Sequence, residues 1–155
     1  MAEAPPVAAR TPEAAGSLSP LMRRYVADTH VVLWFLSGDV RRVGRRARRV
    51  LEMIDGVSIG IVVSVISLWE VAQLADAGRV RLAAGYTAWC DQLEELPGIR
   101  VEPLLRNDVE MARSLAALAD PSDRLIAGTA LRLRVPLLSG DRRIAASGRV
   151  PVVWD

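Results

Sequence analysis

The segment SIGIVVSVISLWE, residues 58–70, joins an almost unbroken β-branched run to the beginning of a helical pattern. An apolar run without polar alternation is typical of a strand that is buried on both faces, as in a parallel sheet covered by helices. We therefore predict a strand over residues 58–65 and a helix that begins at Ser67, reaches Ala77 and ends at Gly78. A strand that leads directly into a helix is the repeating unit of α/β folds.

The same alternation of strand-like and helical patterns extends in both directions from this segment. We predict further strands over about 25–27, 99–104, 135–138 and 150–153, and further helices over about 31–36, 43–54, 86–96, 107–118, 121–133 and 141–146. Strands joined by helical crossovers form a parallel sheet with helices on both faces. The sequence thus predicts an α/β fold of three layers, with five parallel strands between about seven helices.

The N-terminal segment differs in composition from the rest of the chain. Residues 1–21 are rich in Ala and Pro and show no apolar periodicity, so we predict a disordered tail there. The remaining residues, 22–155, have the length of one domain. Met22 directly precedes Arg23 and the first strand, and it offers an alternative start of translation.

Charge and cysteine content restrict the environment and the partners. All 20 basic residues are arginines, and the net charge of +2 permits a nucleic-acid partner without requiring one. The single cysteine, Cys90, cannot form an intramolecular disulfide, which favours a reducing compartment. No apolar run approaches the roughly 20 residues of a membrane span, and the N-terminus lacks the pattern of a signal peptide. We predict a soluble cytoplasmic protein.

Four acidic residues lie where an open parallel sheet binds its ligands, beyond the carboxyl ends of its strands. Asp28 ends the first predicted strand, and Glu70 lies in the first turn of the predicted helix after the second strand. Asp123 lies in the first turn of the helix that Pro121 opens, and Asp141 follows the fourth strand. We expect the four carboxylates to project from the same edge of the sheet.

Each acidic residue also has a purely structural explanation. Ser67 and Glu70 match a capping box, in which the glutamate returns to the amide of the N-cap residue. Asp120, Pro121 and Asp123 match an N-cap followed by the first helical turn. The other two acids could each cap the helix that follows. Taken singly, each residue is more simply explained by helix capping than by chemistry.

The four carboxylates taken together indicate a metal site. Four negative charges at one partly desolvated rim repel one another by roughly several kcal/mol. A divalent cation among them removes this repulsion, and ligation by oxygen alone suits Mg²⁺ or Mn²⁺. Zinc prefers a set of Cys and His ligands, and the chain has one residue of each type.

The four acidic segments resemble the motifs of PIN domains, most closely those of the VapC-like ribonuclease toxins of type II toxin–antitoxin systems. They are ADTH at 27–30, SLWE at 67–70, DPSDRLIA at 120–127 and SGD at 139–141. Their order and approximate spacing fit the family, and the resemblance covers about residues 25–155. One position departs from the family pattern, because Ser139 stands where threonine is common. The hydroxyl group is retained.

The resemblance implies a PIN-like fold and an endoribonuclease that depends on Mg²⁺ or Mn²⁺. It also implies a homodimer that a small cognate antitoxin neutralises. By this resemblance the catalytic and metal-binding residues are Asp28, Glu70, Asp123 and Asp141. Water activated by the metal would attack the phosphorus of the RNA phosphodiester. No histidine or lysine is placed to act as a general base, which is consistent with activation by metal.

Residues beside the acidic motifs are candidates for supporting roles. Thr29 and Ser139 are predicted to lie next to the metal site, as supporting or substrate-binding groups. Arg124 and Arg142 directly follow acidic residues, and each could reach the scissile phosphate or form a surface ion pair. For His30, packing in the first helical turn is the simpler interpretation, and contact with substrate is the alternative.

An arginine cluster and four tryptophans leave several interpretations open. Helical spacing places the cluster on two adjacent faces, Arg41, Arg45 and Arg48 on one and Arg42, Arg46 and Arg49 on the other. The cluster could follow an RNA backbone, contact an acidic antitoxin segment, or simply be solvated. The tryptophans are interpreted as core, packing or dimer-interface residues rather than as platforms for bases. They are Trp34, Trp69, Trp89 and Trp154.

Two other classes of function compete with the nuclease. A phosphatase-type enzyme also places an aspartate after its first strand. The segment at Asp28 lacks a second aspartate two residues later, however, and the sequence contains no lysine. A non-catalytic module that binds nucleic acid or protein could retain the acidic cluster for structural reasons. Metal-dependent thermal stabilisation distinguishes a metal site from a capping cluster, because a ligand that binds only the native state stabilises it.

Overall fold

Five parallel strands form one sheet in the order β3-β2-β1-β4-β5 in the computed structural model, which describes residues 22–155. The strands are β1 (Arg23–Ala27), β2 (Ile59–Ser64), β3 (Ile99–Glu102), β4 (Leu137–Leu138) and β5 (Val152–Val153). Within these residues the helices are α1 (Thr29–Ser37), α2 (Arg45–Glu52), α3 (Val65–Asp76), α4 (Gly85–Glu95), α5 (Arg106–Arg113), α6 (Pro121–Leu133) and α7 (Arg142–Ala146). The predicted α/β class and parallel sheet are confirmed, and the tail predicted over residues 1–21 lies outside the described residues.

The sheet is buried on both faces, as its apolar strands predicted. Ile61 and Val63 of β2 belong to one core cluster, which also contains residues of α1, α2, α3 and α4. Val62, which points to the opposite face, belongs to a second cluster with residues of α6 and α7. All three side chains are at most 1% exposed. Each such side chain contributes about 1.5–3 kcal/mol relative to an exposed one.

Strand register brings the segments after β1, β2 and β4 to one edge of the sheet. Ala27 pairs with Val63 on one side and with Leu138 on the other. The chain continues from these positions into α1, α3 and the loop before α7, respectively. Three of the four acidic motifs therefore begin within a few residues of a shared edge.

Helix α3 begins earlier than predicted. Its N-cap is Ser64, whose side chain accepts a hydrogen bond of 3.2 Å from the amide of Ile66. The predicted capping box at Ser67 and Glu70 is therefore wrong, because Ser67 lies inside the helix and its hydroxyl group faces Thr29 instead. Glu70 consequently lies in the second turn of α3, where its carboxylate takes no part in capping the helix.

The arginine-rich helix predicted over about 43–54 is present as α2, and a separate short helical turn precedes it. A 3₁₀ turn at Val40–Arg42 is separated from α2 by the extended residue Val43 and by Gly44. The carbonyl oxygen of Trp154 accepts hydrogen bonds from the amides of Arg46 and Ala47, so the C-terminal segment caps α2. The two continuous arginine faces predicted across residues 41–49 are therefore interrupted.

Helix α6 has the bounds that the sequence predicted. Asp120 is its N-cap and accepts hydrogen bonds from the amides of Ser122 and Asp123, and Pro121 is its first residue. The helix ends where Arg134 adopts a left-handed conformation, with φ of 56°. Helix α5, by contrast, ends at Arg113 and not near residue 118. None of the helices within residues 22–155 has the length and apolar character required to cross a bilayer.

Candidate active site

The four predicted carboxylates line one cleft of about 380 Å³ at the carboxyl edge of the sheet. They are Asp28, Glu70, Asp123 and Asp141. The same cleft is lined by a fifth carboxylate, that of Asp120, and by the side chains of His30, Trp34, Arg143 and Trp154. The structure thus brings together acidic residues from four separate motifs, as the topology of the strands predicted.

Ser139 connects the carboxylate of Asp28, after β1, to the backbone of Asp141, after β4. Its hydroxyl group donates a hydrogen bond of 2.7 Å to Oδ2 of Asp28 and accepts one of 3.1 Å from the amide of Asp141. The other oxygen of Asp28 accepts a hydrogen bond of 2.8 Å from the amide of Thr29, so Asp28 is also the N-cap of α1. Each carboxylate oxygen has two acceptor sites, and helix capping therefore leaves Asp28 able to bind a cation.

Thr29 positions Glu70 from the side of α1. The Thr29 hydroxyl group is buried and donates a hydrogen bond of 2.7 Å to Oε1 of Glu70. The hydroxyl oxygen of Thr29 also lies 3.0 Å from the hydroxyl oxygen of Ser67. Since Thr29 has a single hydroxyl proton, Ser67 acts as the donor in that second contact. A chain of two hydroxyl groups thus fixes the carboxylate of Glu70 toward the cleft.

Asp123 and Asp141 face each other across the side chain of Arg143. The guanidinium group lies 2.8 Å from Oδ2 of Asp141 and 3.8 Å from Oδ2 of Asp123. Asp141 is the N-cap of α7 and accepts a hydrogen bond of 2.8 Å from the amide of Arg143. Because the Arg143 side chain is 68% exposed, solvent weakens both ion pairs. Arg143 therefore compensates little of the negative charge in the cleft.

The negative charges of the cleft perturb one another. Burial, together with the repulsion of the surrounding carboxylates, raises the pKa of Asp123 to about 7. Those carboxylates are Asp28, Asp120, Asp141 and Glu70. Burial also raises the pKa of Asp28 and of Glu70, whereas the hydrogen bond from Arg143 lowers the pKa of Asp141. Five carboxylates thus share one cleft with a single arginine, and the site favours a bound cation.

The donor set of this cleft fits Mg²⁺ or Mn²⁺. All of its acidic ligands offer oxygen, which these hard cations prefer, and a partly buried excess of negative charge supplies the electrostatic attraction. No group of three or more His, Cys, Asp or Glu side chains within residues 22–155 is already arranged to hold a metal ion. Direct ligation by three of these side chains would therefore require side-chain rotation, and the exposed pair between Arg143 and Asp141 is the contact that yields most easily.

The two arginines predicted near the phosphate lie elsewhere. The guanidinium group of Arg124 donates hydrogen bonds to the backbone carbonyls of Leu118 and Ala116, so it holds the loop between α5 and α6. Arg142 is exposed and does not line the cleft. Arg143, one residue later, lines the cleft in which Arg142 is predicted. Arg143 reaches the cleft because Asp141 is the N-cap of α7. The amide and the guanidinium group of Arg143 both turn back toward the Asp141 carboxylate.

Three further cleft residues were missed or interpreted differently from the sequence. The sequence predicts Asp120 only as a helix cap, whereas Asp120 both caps α6 and lines the cleft. His30 is exposed rather than packed, and its ring lies 5.7 Å from that of Trp34. Trp154 packs as predicted, yet it also forms a wall of the cleft. Its contact with Gly140 is so close that a Cβ atom there would lie 2.8 Å from the indole ring.

Comparison with known proteins identifies the family. The model of the PIN domain matches residues 25–149, a range that contains all four acidic motifs. The chain belongs to the PIN-domain family. A relative of this PIN-domain protein, ribonuclease VapC22 of Mycobacterium tuberculosis, is 31% identical over 137 residues, which cover 86% of this chain and the whole of the relative.

Solved structures share the fold at lower sequence identity. VapBC2 from Rickettsia felis, bound to a DNA fragment from its promoter, matches with a TM-score of 0.62 and 13% identity, over 85% of this chain and 99% of that one. A toxin–antitoxin complex from Klebsiella pneumoniae and FitAcB from Neisseria gonorrhoeae match with TM-scores of 0.55 and 0.52. Each is 16% identical over 83% of this chain and 95% of its own. The predicted PIN-like fold is confirmed.

Proposed function

We propose that this PIN-domain protein is an endoribonuclease that depends on Mg²⁺ or Mn²⁺ and acts as the toxin of a toxin–antitoxin pair. The observation that carries the proposal is the convergence of four separate acidic motifs on one cleft whose excess negative charge favours a cation. The name of the ribonuclease relative agrees with this activity. We propose the cytoplasm as its location, because this compartment contains RNA and keeps Cys90 reduced.

The residues of the cleft have separate tasks in this proposal. Asp28, Glu70, Asp123 and Asp141 would hold the cation, directly or through water. A bound Mg²⁺ or Mn²⁺ supplies Lewis-acid activation of the attacking water and of the phosphate. Ser139 and Thr29 orient two of the carboxylates through the hydrogen bonds described above.

Arg143 is the residue proposed to contact the RNA phosphate. Its side chain reaches the cleft from the solvent side and already pairs with carboxylates there. A cation held by Asp141 would leave the guanidinium group of Arg143 free to contact the phosphate. Arginine suits this role because its planar donors match two phosphate oxygens.

Two protein partners complete the proposal. Because similar folds occur in toxin–antitoxin complexes, we infer that a small antitoxin binds this chain. Exposed apolar side chains in the segments that follow β2 and β3 support a homodimer. They are Val65, Trp69, Leu104, Leu105 and Val109. Ser64 pairs with Glu102 in the sheet, so the segments that carry these residues leave neighbouring strands at the same edge. A Trp69→Ser variant that remains dimeric by light scattering would argue against this interface.

The activity is tested by incubating total cellular RNA with the purified protein in Mg²⁺, Mn²⁺ or EDTA. We expect discrete cuts with metal and no cuts in EDTA or in the Asp28→Asn variant. The matched control is Asp91→Asn, which removes the same charge from an exposed position on α4, outside the cleft. Cutting that persists in EDTA or in Asp28→Asn would overturn the proposal. Absence of cutting by a folded, antitoxin-free protein would favour a binding module.

A further inference from the structure

The segment that follows β5 connects the carboxylate cleft with the core. The register of β4 and β5 pairs Leu138 with Val153. Trp154 therefore leaves β5 at the same edge of the sheet at which Ser139 leaves β4. The Trp154 side chain lines the cleft and also packs against the core cluster that contains residues of α1 and α2. Its indole ring lies 6.4 Å from that of Trp34, at an angle of 50°.

Two glycines make room for the Trp154 side chain. A Cβ atom at Gly140 would lie 2.8 Å from the indole ring, and one at Gly44 would lie 2.7 Å from it. Gly44 has ordinary backbone angles, φ of −56° and ψ of 151°, and neither glycine has a positive φ. Backbone conformation therefore does not require glycine at either position, whereas the close approach of the ring does. The ring thus contacts both the start of α2 and the loop that precedes Asp141.

The backbone of the same segment is anchored on α2. The carbonyl oxygen of Trp154 accepts hydrogen bonds of 2.9 Å and 3.1 Å from the amides of Arg46 and Ala47. Oδ1 of Asp155 accepts one of 2.6 Å from the amide of Arg45. These three amides begin the helix and have no partner within it. Because α2 itself packs into the core through Ala47 and two further buried residues, the position of Trp154 is fixed independently of the cleft.

The loop that the indole ring contacts carries two groups of the candidate site. Ser139 donates a hydrogen bond to the carboxylate of Asp28, and the amide of Asp141 donates one of 3.1 Å to Ser139. Gly140 joins these two residues and has no side chain with which to hold the loop. The preceding strand is short, since β4 consists only of Leu137–Leu138. Contact with the Trp154 ring therefore restricts this loop from outside.

We propose that Trp154 is a positioning residue, which holds residues 139–141 in the conformation that places Ser139 and Asp141 for cation binding. It acts through the backbone of Gly140, because an indole ring offers no oxygen ligand to a hard cation. Without the ring, the loop would sample other conformations, and the cleft would lose affinity for the cation while all its carboxylates remain. The proposal rests on the proposed metal-dependent function and adds to it a residue outside the acidic motifs.

Two readouts test this role, and one of them needs no metal. Hydrogen–deuterium exchange of the metal-free protein follows the amide of Asp141, within a peptide over residues 137–146. Electron paramagnetic resonance of free Mn²⁺ measures the affinity of the RNA-free protein for this ion. The variants are Trp154→Ala and Trp154→Phe, both in the full chain and at a temperature at which circular dichroism shows them folded. The matched control is Leu93→Ala, which truncates a fully buried side chain on α4, a helix that does not line the cleft.

We expect Trp154→Ala to speed exchange of the Asp141 amide and to weaken Mn²⁺ binding, each at least about tenfold. Trp154→Phe should lie between the parent and Trp154→Ala in both readouts, because a smaller ring still fills part of the space. Leu93→Ala should leave both within about twofold of the parent, since a distant site acts independently. Trp154→Ala should weaken Mn²⁺ binding less in a Ser139→Ala background than in the parent, because both changes act on the same loop.

Unchanged exchange in Trp154→Ala, or equal effects of Leu93→Ala, would overturn the proposal. Slower RNA cleavage with unchanged exchange and unchanged Mn²⁺ affinity would assign the ring to substrate contact instead. The two proposals also fail separately. Absence of Mn²⁺ binding by the parent would contradict the metal site, and exchange of the Asp141 amide would still decide whether Trp154 holds the loop. Mn²⁺ binding that depends on Asp28 but not on Trp154 would leave the metal site standing and refute the positioning role.

Discussion

Removing the largely buried side chain of Arg132 is expected to destabilise the protein strongly. Its guanidinium group lies 2.5 Å from Oδ1 of Asp108 and 2.8 Å from Oε1 of Glu102. The side chains of Asp108, Glu102 and Arg132 are 0%, 7% and 13% exposed, respectively. The group thus joins β3, α5 and α6, the last of which presents Asp123 to the cleft. Its loss leaves carboxylates buried without their principal partner.

The magnitude follows from which carboxylate is left without compensation. Glu102 also accepts a hydrogen bond from Arg100 and retains it when Arg132 is replaced. Asp108 keeps only the hydrogen bond from the amide of Leu105, of 2.7 Å, so it is the uncompensated charge. Breaking a buried ion pair by removing one partner costs about 3–5 kcal/mol. For a chain of this size, that corresponds to a decrease in Tm of roughly 6–20 °C.

The assay is urea denaturation of Arg132→Met, which retains most of the apolar side-chain stem. We expect a lower midpoint with an unchanged slope. The double variant Arg132→Met with Asp108→Asn is expected to recover part of the loss, because it removes the buried charge. The matched control is Arg113→Met, whose ion pair with Glu110 is exposed and contributes about 0.5 kcal/mol or less. The reasoning is refuted if Arg132→Met costs no more than this control, or if Asp108→Asn deepens the loss.

Three further predictions concern the cleft. Ser139→Ala removes the hydroxyl group that holds the carboxylate of Asp28 and should weaken metal binding or cleavage about 10–100-fold. Ser139→Thr should retain both, and equal behaviour of the two variants would contradict this role. Gly140→Ala should destabilise the fold by about 1–3 kcal/mol because its Cβ atom would displace Trp154, and denaturation with an unchanged midpoint would count against it. Because the pKa of Asp123 is raised to about 7 in the metal-free protein, protons compete with the cation below that pH. The affinity for Mn²⁺ should therefore rise through pH 7 in the parent protein. An identical rise in Asp123→Asn would exclude the titration of Asp123 as its cause.

The features that the sequence predicted correctly depend on local signals. The run at 59–64 is apolar at nearly every position, so its burial on both faces could be inferred without knowing its neighbours. The bounds of α6 were predicted because Asp120 and Pro121 form a helix start that needs no tertiary contact. The placement of the four acids followed from the general rule that parallel strands share a carboxyl edge.

The errors arose where distant residues decide between local alternatives. Ser64 and Ser67 are both acceptable N-caps, and the choice depends on Thr29, 38 residues before Ser67. The start of α2 at Arg45 depends on Trp154, whose carbonyl group caps the N-terminus of this helix from the far end of the chain. His30 is exposed because its side chain lines the open cleft instead of packing against another element. None of these contacts leaves a periodic pattern in the sequence.

Binding of Mn²⁺ to the RNA-free protein tests the central claim most directly. Electron paramagnetic resonance of free Mn²⁺ measures the affinity without any cleavage. We predict saturable binding that weakens at least about tenfold in Asp28→Asn and in Asp141→Asn, with no change in the matched Asp91→Asn variant. Equal binding by all four proteins, or no binding at a Mn²⁺ concentration that supports RNA cleavage, would contradict the assignment of these carboxylates to a metal site.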